Sequence, residues 1–308
     1  MSNGPRRHIV PANSIGFFST TESGHRRDRR IYCRLKRNSR TFATTPDKIG
    51  WSRTVYGAGK GRRFDHDGYF AKFEPLNNDS VTALLHEEGA WKNADQWINL
   101  VAYVASRITR NPDRELNSAE EFAKWKGGGS IGYPLNLQRL SAAALRCRWE
   151  FITSPAQDFV LNDRGFVGIR HPGWQAPALF VPLRRDSAVV IGGGARHRKQ
   201  LAWQNGGWRI SIPTTTIDSE LTLKLNAMSW IGAREECYAA RPQPLENAAK
   251  YHLSVPDEVK NLALANDYVY PILGSTLDEC VADEMLLLRL LGGIRVREDS
   301  DDPTNLWI

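Results

Sequence analysis

Hydrophobic positions along this chain change their period twice. Through the first 70 residues apolar side chains come in short groups, Ile31-Tyr32 and Ile49-Gly50-Trp51, between turn signals at Ser23-Gly24, Gly57 to Gly59 and Asp67-Gly68. That pattern predicts irregular or short-strand structure. A helical period follows. Asp79 or Ser80 is placed to cap a helix carrying Val81, Leu84 and Leu85, and Asn93 a second in which Trp97, Leu100, Val101, Val104 and Ile108 share a face. Asn111-Pro112 stops it, because the residue before proline is pushed out of the helical region. Ser118-Ala119-Glu120-Glu121 is a capping box for a short helix ending at Gly127-Gly128-Gly129, and residues 136 to 147 read as helix.

From Trp149 the pattern becomes strand-like. Strands are predicted over Trp149–Thr153, Phe159–Leu161, Phe166–Ile169, Leu179–Leu183, Ala188–Ile191, Trp208–Pro213 and Leu221–Leu225. Closing helices are predicted from Ser229 to Ala240, from Asp257 to about Leu273, and from the capping box at Thr276 through Val281, Met285, Leu288 and Leu291 to Gly292-Gly293. Helices, then strands, then helices predict an α+β fold: a helical middle segment, an antiparallel or mixed strand-rich second half, and closing helices. The 308 residues are expected to form a single domain, with 1–63 a basic N-terminal segment and 296–308 a mobile acidic tail.

Charge sharpens this picture. Residues 1–63 hold fifteen Lys or Arg against three acids (Glu22, Asp28 and Asp47), a local net of +12 in a chain whose total is +7. The remainder is therefore acidic. A basic front on an acidic body points to a polyanion partner, RNA or DNA, with Arg26, Arg27, Arg29, Arg30, Arg34, Lys36, Arg37 and Arg40 as the contacting residues. Such a run can also be a solvated arm, and a protein partner on the same segment is the alternative. Of the ten tryptophans, Trp149 and Trp208 lie beside arginines, where packing is the prior reading and base stacking the minority one.

The four cysteines are far apart and form no C-x-x-C pair, so reduced thiols and no structural zinc are expected. The chain carries no apolar run of the roughly 20 residues that cross a bilayer, and its first residues lack the apolar stretch of a secretory signal. A cytoplasmic location without membrane contact is the expectation.

Several short motifs, taken in order, resemble the uncharacterised bacterial domain-of-unknown-function family numbered 4238. His8-Ile9-Val10-Pro11, followed by Ile15 and Phe18, is similar to its H-Y-V-P opening. Ile31-Tyr32 and Asp47 to Tyr56 are similar to its following strand and aromatic segment. Arg110-Asn111-Pro112 matches its Arg-Thr-Pro-like step. Phe159 to Phe166 after Trp149 is similar to its F-x-x-S-D-x-P-V strand, Pro182-Leu183 to its P-L step, and Asn261 to Tyr270 to its closing helix. Ile9, Asn111, Asn162 and Gly165 depart from the pattern, and a second register would use Thr153-Ser154 with Asp158. The resemblance spans roughly residues 8–272 and implies a fold neighbourhood without an activity.

Candidate chemistry is sparse. His8 titrates near neutrality and can act as base, acid or phosphate-binding cation, or simply pack near the start of the domain. Asp163, between two strand-like segments, can orient His8, bind a cation, or form a turn before Arg164-Gly165. Arg110 at a helix end can contact phosphate or complement the helix dipole. Asp65-His66-Asp67 groups metal-capable side chains that point different ways, and His86-Glu87-Glu88 lacks the second histidine of a zinc protease. Gly192-Gly193-Gly194 before Arg196-His197-Arg198-Lys199 lacks the Lys-Ser/Thr of a P-loop. No G-x-S-x-G elbow or G-x-G-x-x-G fingerprint occurs, and no motif calls for a metal or other cofactor.

The expectation is thus a nucleic-acid-directed effector. It would be a nuclease or RNase-like toxin of a bacterial antiviral-defence or toxin system, with His8, Arg110 and Asp163 as its catalytic residues. The alternative is a non-catalytic module that binds nucleic acid or protein.

Overall fold

A computed structural model describes residues 7–21, 23–52, 74–87, 89–110, 137, 140–141, 143–145, 147–170, 177–192 and 201–264. The capping box at Ser118, the Asn111-Pro112 stop, Asp65-His66-Asp67, the run 193–199, the closing helix with Leu288 and the acidic tail lie outside these residues.

The centre is a five-stranded sheet. Its order is β13 (Thr214–Thr216), β6 (Arg148–Thr153), β10 (Ser187–Gly192), β9 (Pro177–Arg184) and β8 (Val167–Arg170). All neighbours are antiparallel except β13, which runs parallel to β6. Strands β9 and β10 read as nearly unbroken apolar runs because both faces of the sheet are covered. Leu179, Val181, Val189 and Ile191 face one side. Ala178, Phe180, Ala188 and Val190 face the other.

On the first side lies the helical middle. Helix α2 (Glu74–His86) packs against α3 (Ala94–Thr109), and α3 begins as its sequence predicts: Asn93 Oδ1 accepts the Gln96 N–H at 3.0 Å. Its face Trp97, Leu100, Val101, Val104 and Ile108 is buried, and Trp97 meets Trp149 of β6 edge to face, ring centroids 6.0 Å apart. Leu137, Leu140, Ala143 and Ala144 join this core as helical residues, as the sequence predicts. Trp149 is thus a core residue, and its Nε1 donates to the Ala144 carbonyl at 2.7 Å.

The second side is covered by α4 (Ser219–Gly232), α6 (Asp257–Leu264) and the N-terminal segment. That segment is folded. Helix α1 (Ala12–Ile15) and the 3₁₀ turn Gly16–Phe18 bury Ile15 and Phe18. Strand β1 (Arg7–His8) pairs with β4 (Trp51–Ser52). Strands β2 (Ile31–Leu35) and β3 (Thr41–Thr44) form a hairpin in a second sheet of order β3-β2-β14-β7, where β14 is Glu236–Ala239 and β7 is Leu161–Asn162. Helix α5 (Pro242–Tyr251) closes the outer face of this sheet over Tyr32, Cys237 and Ala239. A third sheet joins the hairpin β11 (Leu201–Gln204) and β12 (Gly207–Ser211) to β5 (Trp91–Asn93).

The α+β class is as predicted, with three local corrections. The Leu221–Leu225 segment is helix, not strand. Leu221, Leu223 and Leu225 alternate as a strand would, but Asp218 Oδ1 accepts the Leu221 N–H at 2.8 Å, and Leu221, Leu225 and Met228 fall on one helical face. The predicted helix Ser229–Ala240 is instead the last turn of α4, an extended break at Ala233, and strand β14 (φ −62°, ψ 143° at Ala233). Pairing on both edges with β2 and β7 outweighs the helix propensity of Glu235-Glu236. Helix α2 begins at Glu74, so Asp79 and Ser80 lie inside it and cap nothing. Among the described residues no helix is long and apolar enough to cross a membrane.

Candidate nucleic-acid interface

The basic front folds into two groups at opposite ends of β2. The first forms where two 3₁₀ turns meet. Gly16 stands so close to the second turn, Arg26–Asp28, that a Cβ there would lie 2.2 Å from the Arg26 carbonyl oxygen. This approach sets Phe17 beside Arg26. The Arg26 guanidinium lies 4.2 Å from the Phe17 ring centroid, and that of Arg184, from the end of β9, lies 5.3 Å from the same centroid. Burial holds the Arg26 pKa below its usual value, Arg29 and Arg184 add to that, and Asp79 and Tyr103 pull the other way. Among the described residues neither Arg26 nor Arg184 makes an ion pair, nor does the exposed Arg30, which lies over Tyr32. Arg27 is paired with Asp47 at 2.9 Å, with both side chains more than half exposed, so the pair contributes little. Arg29 donates to the Gly24 carbonyl.

The second group sits at the β2–β3 turn, roughly 15 Å away along a five-residue strand. Arg37 and Arg40 are exposed. Arg34 and Lys36 are committed inward. Arg34 donates to Thr41 Oγ1 at 2.7 Å and lies over the Trp230 ring. Lys36 Nζ donates to the Ile231 and Ala233 carbonyls at 3.1 and 2.8 Å, closing the C-terminal end of α4 with a cation, and its burial pushes its pKa down.

The three residues expected to be catalytic lie in adjoining segments. Asp163 follows β7 in a turn whose Gly165 has φ +81° and would place a Cβ 3.5 Å from Val10 and 3.3 Å from Arg107. Val10 is two residues after His8, and Arg107 three before Arg110. His8 is half-buried in β1, its backbone paired with Trp51, and Trp51 lines the small 150 Å³ pocket that Asp163 also lines. Arg110 is buried at the C-cap of α3, its N–H on the Ser106 carbonyl.

The Asp163 carboxylate is used structurally. It accepts the N–H groups of Arg234 (2.8 Å), Glu235 (2.6 Å) and Glu236 (3.0 Å). Burial pushes its pKa up, and these three amides and Arg164 pull it back. Asp163 lies in the turn, but the side chain that closes the turn is that of Asn162, whose Oδ1 accepts the Gly165 N–H at 2.8 Å; the Asp163 carboxylate ties the turn to the start of β14.

Two arginines were not singled out in the sequence. Arg184 reaches Phe17 only through the sheet, and no local pattern links them. Arg107 is fully buried. It donates to the Pro182 carbonyl at 2.6 Å and to Tyr103 Oη, which donates to Ser14 Oγ. Its position was a usable signal, since it falls three residues after Val104 and seven after Leu100 on the apolar face of α3.

No family model, curated protein or solved structure matches the chain.

Proposed function

We propose that this chain binds nucleic acid through Arg26, Arg29, Arg30 and Arg184, with Arg37 and Arg40 as a second contact. The observation that carries this reading is the pair of guanidinium groups held over one phenylalanine ring, neither of them in an ion pair among the described residues. Like charges gathered in this way gain most from a ligand with regularly spaced anions, and the planar fork of arginine suits phosphate oxygens. Arg34 and Lys36, which are occupied inside the fold, contribute charge to the field rather than contacts. Titrating fluorescent single-stranded and double-stranded oligonucleotides of RNA and DNA, with polyglutamate as a non-phosphate polyanion, tests it. Tight binding of an oligonucleotide with weak binding of polyglutamate is expected, and equal affinity for both would make the surface a general anion exchanger.

Cleavage of the bound strand by an effector of the nuclease or RNase type is the second reading. It is favoured by the packing of the Asp163–Gly165 turn against the segments of His8 and Arg110. In this reading His8 moves the proton, Arg110 stabilises the anionic phosphorus centre, and Asp163 positions the turn. Oligonucleotide cleavage by wild type and His8→Ala, with and without EDTA, separates a histidine-based reaction from a metal-based one. Absence of cleavage in wild type would leave the binding module as the account.

A further inference from the structure

Between the central sheet and helices α4 and α6 lies a cavity of about 650 Å³. The same layers touch closely at one place. At β8 the approach is tight: a Cβ on Gly168 would lie 2.6 Å from the Leu262 carbonyl oxygen, and one on Gly232 would lie 2.7 Å from Val167 Cγ2. The space is lined by Thr215 and Ile217 at β13 and beyond, and by Pro256 and Val259 at the start of α6. Ile152, Ile169, Ile217, Leu225, Met228 and Val255 wall it, each a core residue less than a tenth exposed. The volume falls within the ~300–1,000 Å³ of small-ligand sites, and a few placed polar groups in an apolar wall are what such sites use for orientation.

Those polar groups are unevenly distributed. On the β6 side, Glu150 accepts the Thr215 hydroxyl at 2.6 Å. On the β8 side stands Arg170, exposed at the strand end and, among the described residues, without an ion pair. Strands β10 and β9 lie between, and Glu150 is level with Val167 rather than Arg170, so the two positions are offset by about 14 Å across the sheet and about 10 Å along it. Lys224 at the mouth is held by Glu220 at 2.7 Å. A ligand with an apolar chain and one anionic end can place its head at Arg170, away from Glu150, with its tail running toward Ile217.

We propose that this cavity binds a free acyl-chain carboxylate. The site is separate from the arginine surface and does not depend on it. The test is calorimetric titration of the full chain with dodecanoate below its micelle concentration, beside dodecanol and dodecyltrimethylammonium. Saturable one-to-one binding of dodecanoate is expected. Arg170→Glu should weaken it about tenfold or more, as loss of a charge-assisted hydrogen bond does. Val259→Trp, at the half-buried wall, should abolish it while the thermal transition stays cooperative. Leu221→Trp, also at a half-buried wall position, serves if Val259→Trp does not fold. No binding by wild type, binding insensitive to the tryptophan substitution, or equal affinity for the alcohol or the cationic amphiphile would overturn the proposal. So would binding to anionic phospholipid vesicles without binding of the free acid.

Discussion

The guanidinium groups of Arg26 and Arg184 share one aromatic ring, lying 4.2 and 5.3 Å from the centroid of Phe17. The ring face is negative, so it lowers the cost of holding two cations from distant parts of the chain together. Phe17→Leu keeps the site apolar with a smaller side chain and removes that face. Weaker oligonucleotide binding is expected, with a loss of about 1–2 kcal/mol in folding stability from the smaller side chain. Binding equal to wild type would show that Phe17 merely fills space.

Asp163 stands in for a whole turn of hydrogen bonding. In Asp163→Asn one acceptor becomes an NH₂ group facing the amides of Glu235 and Glu236 or of Arg234. Leaving buried donors unmatched costs about 1–3 kcal/mol, so the unfolding free energy from a urea titration should fall by that amount and the midpoint should fall with it. If oligonucleotide cleavage is found, an unchanged midpoint with lost activity would move Asp163 from positioning to chemistry.

Lys36 is predicted to matter for stability and not for the ligand. Lys36→Met removes the donor to two carbonyls at the end of α4 and should cost about 1–2 kcal/mol at neutral pH. Burial sets its folded pKa below the ordinary 10.5. Between these two values the unfolded chain binds more protons than the folded one, so this contribution grows as pH rises and is complete above 10.5. The stability difference between wild type and Lys36→Met should therefore be larger at pH 10 than at pH 8. A constant difference would contradict the burial of this ammonium.

Gly168 is where α6 touches the sheet backbone. Gly168→Ala places a methyl 2.6 Å from the Leu262 carbonyl oxygen, so α6 must shift. A loss of about 1–3 kcal/mol is expected, together with faster hydrogen exchange in residues 257–264. Unchanged exchange there would mean that α6 does not depend on this contact.

The sequence carries some of these features and hides others for physical reasons. Helix α3 was legible because its cap at Asn93 and its apolar face are both local. Strands β6, β9 and β10 were legible because burial on both faces leaves long apolar runs. Helix α4 was misread because Leu221, Leu223 and Leu225 satisfy a period of two as well as one of 3.6. Strand β14 was misread because its state is decided by partners on two distant strands. The basic front was visible as charge, yet which arginines are committed inward depends on Trp230 and the end of α4. Arg184 joins Arg26 only once β9 is placed. Asp163 was expected to orient His8; its carboxylate is taken up by the amides of Arg234, Glu235 and Glu236, and what lies against its turn at Gly165 is the side chains of Val10 and Arg107, neighbours in sequence of His8 and Arg110.

The central claim is that the cations around Phe17 are a phosphate-binding surface, and the salt dependence of oligonucleotide affinity measures it most directly. Each phosphate contact releases a counterion and adds about 0.7 (single strand) to 0.9 (duplex) to the slope of log affinity against log salt. Wild type should bind with a steep slope. The Arg26→Ala/Arg184→Ala double variant should bind more weakly, with a slope flatter by roughly 1.4–1.8. A variant whose affinity and slope equal those of wild type would contradict the account.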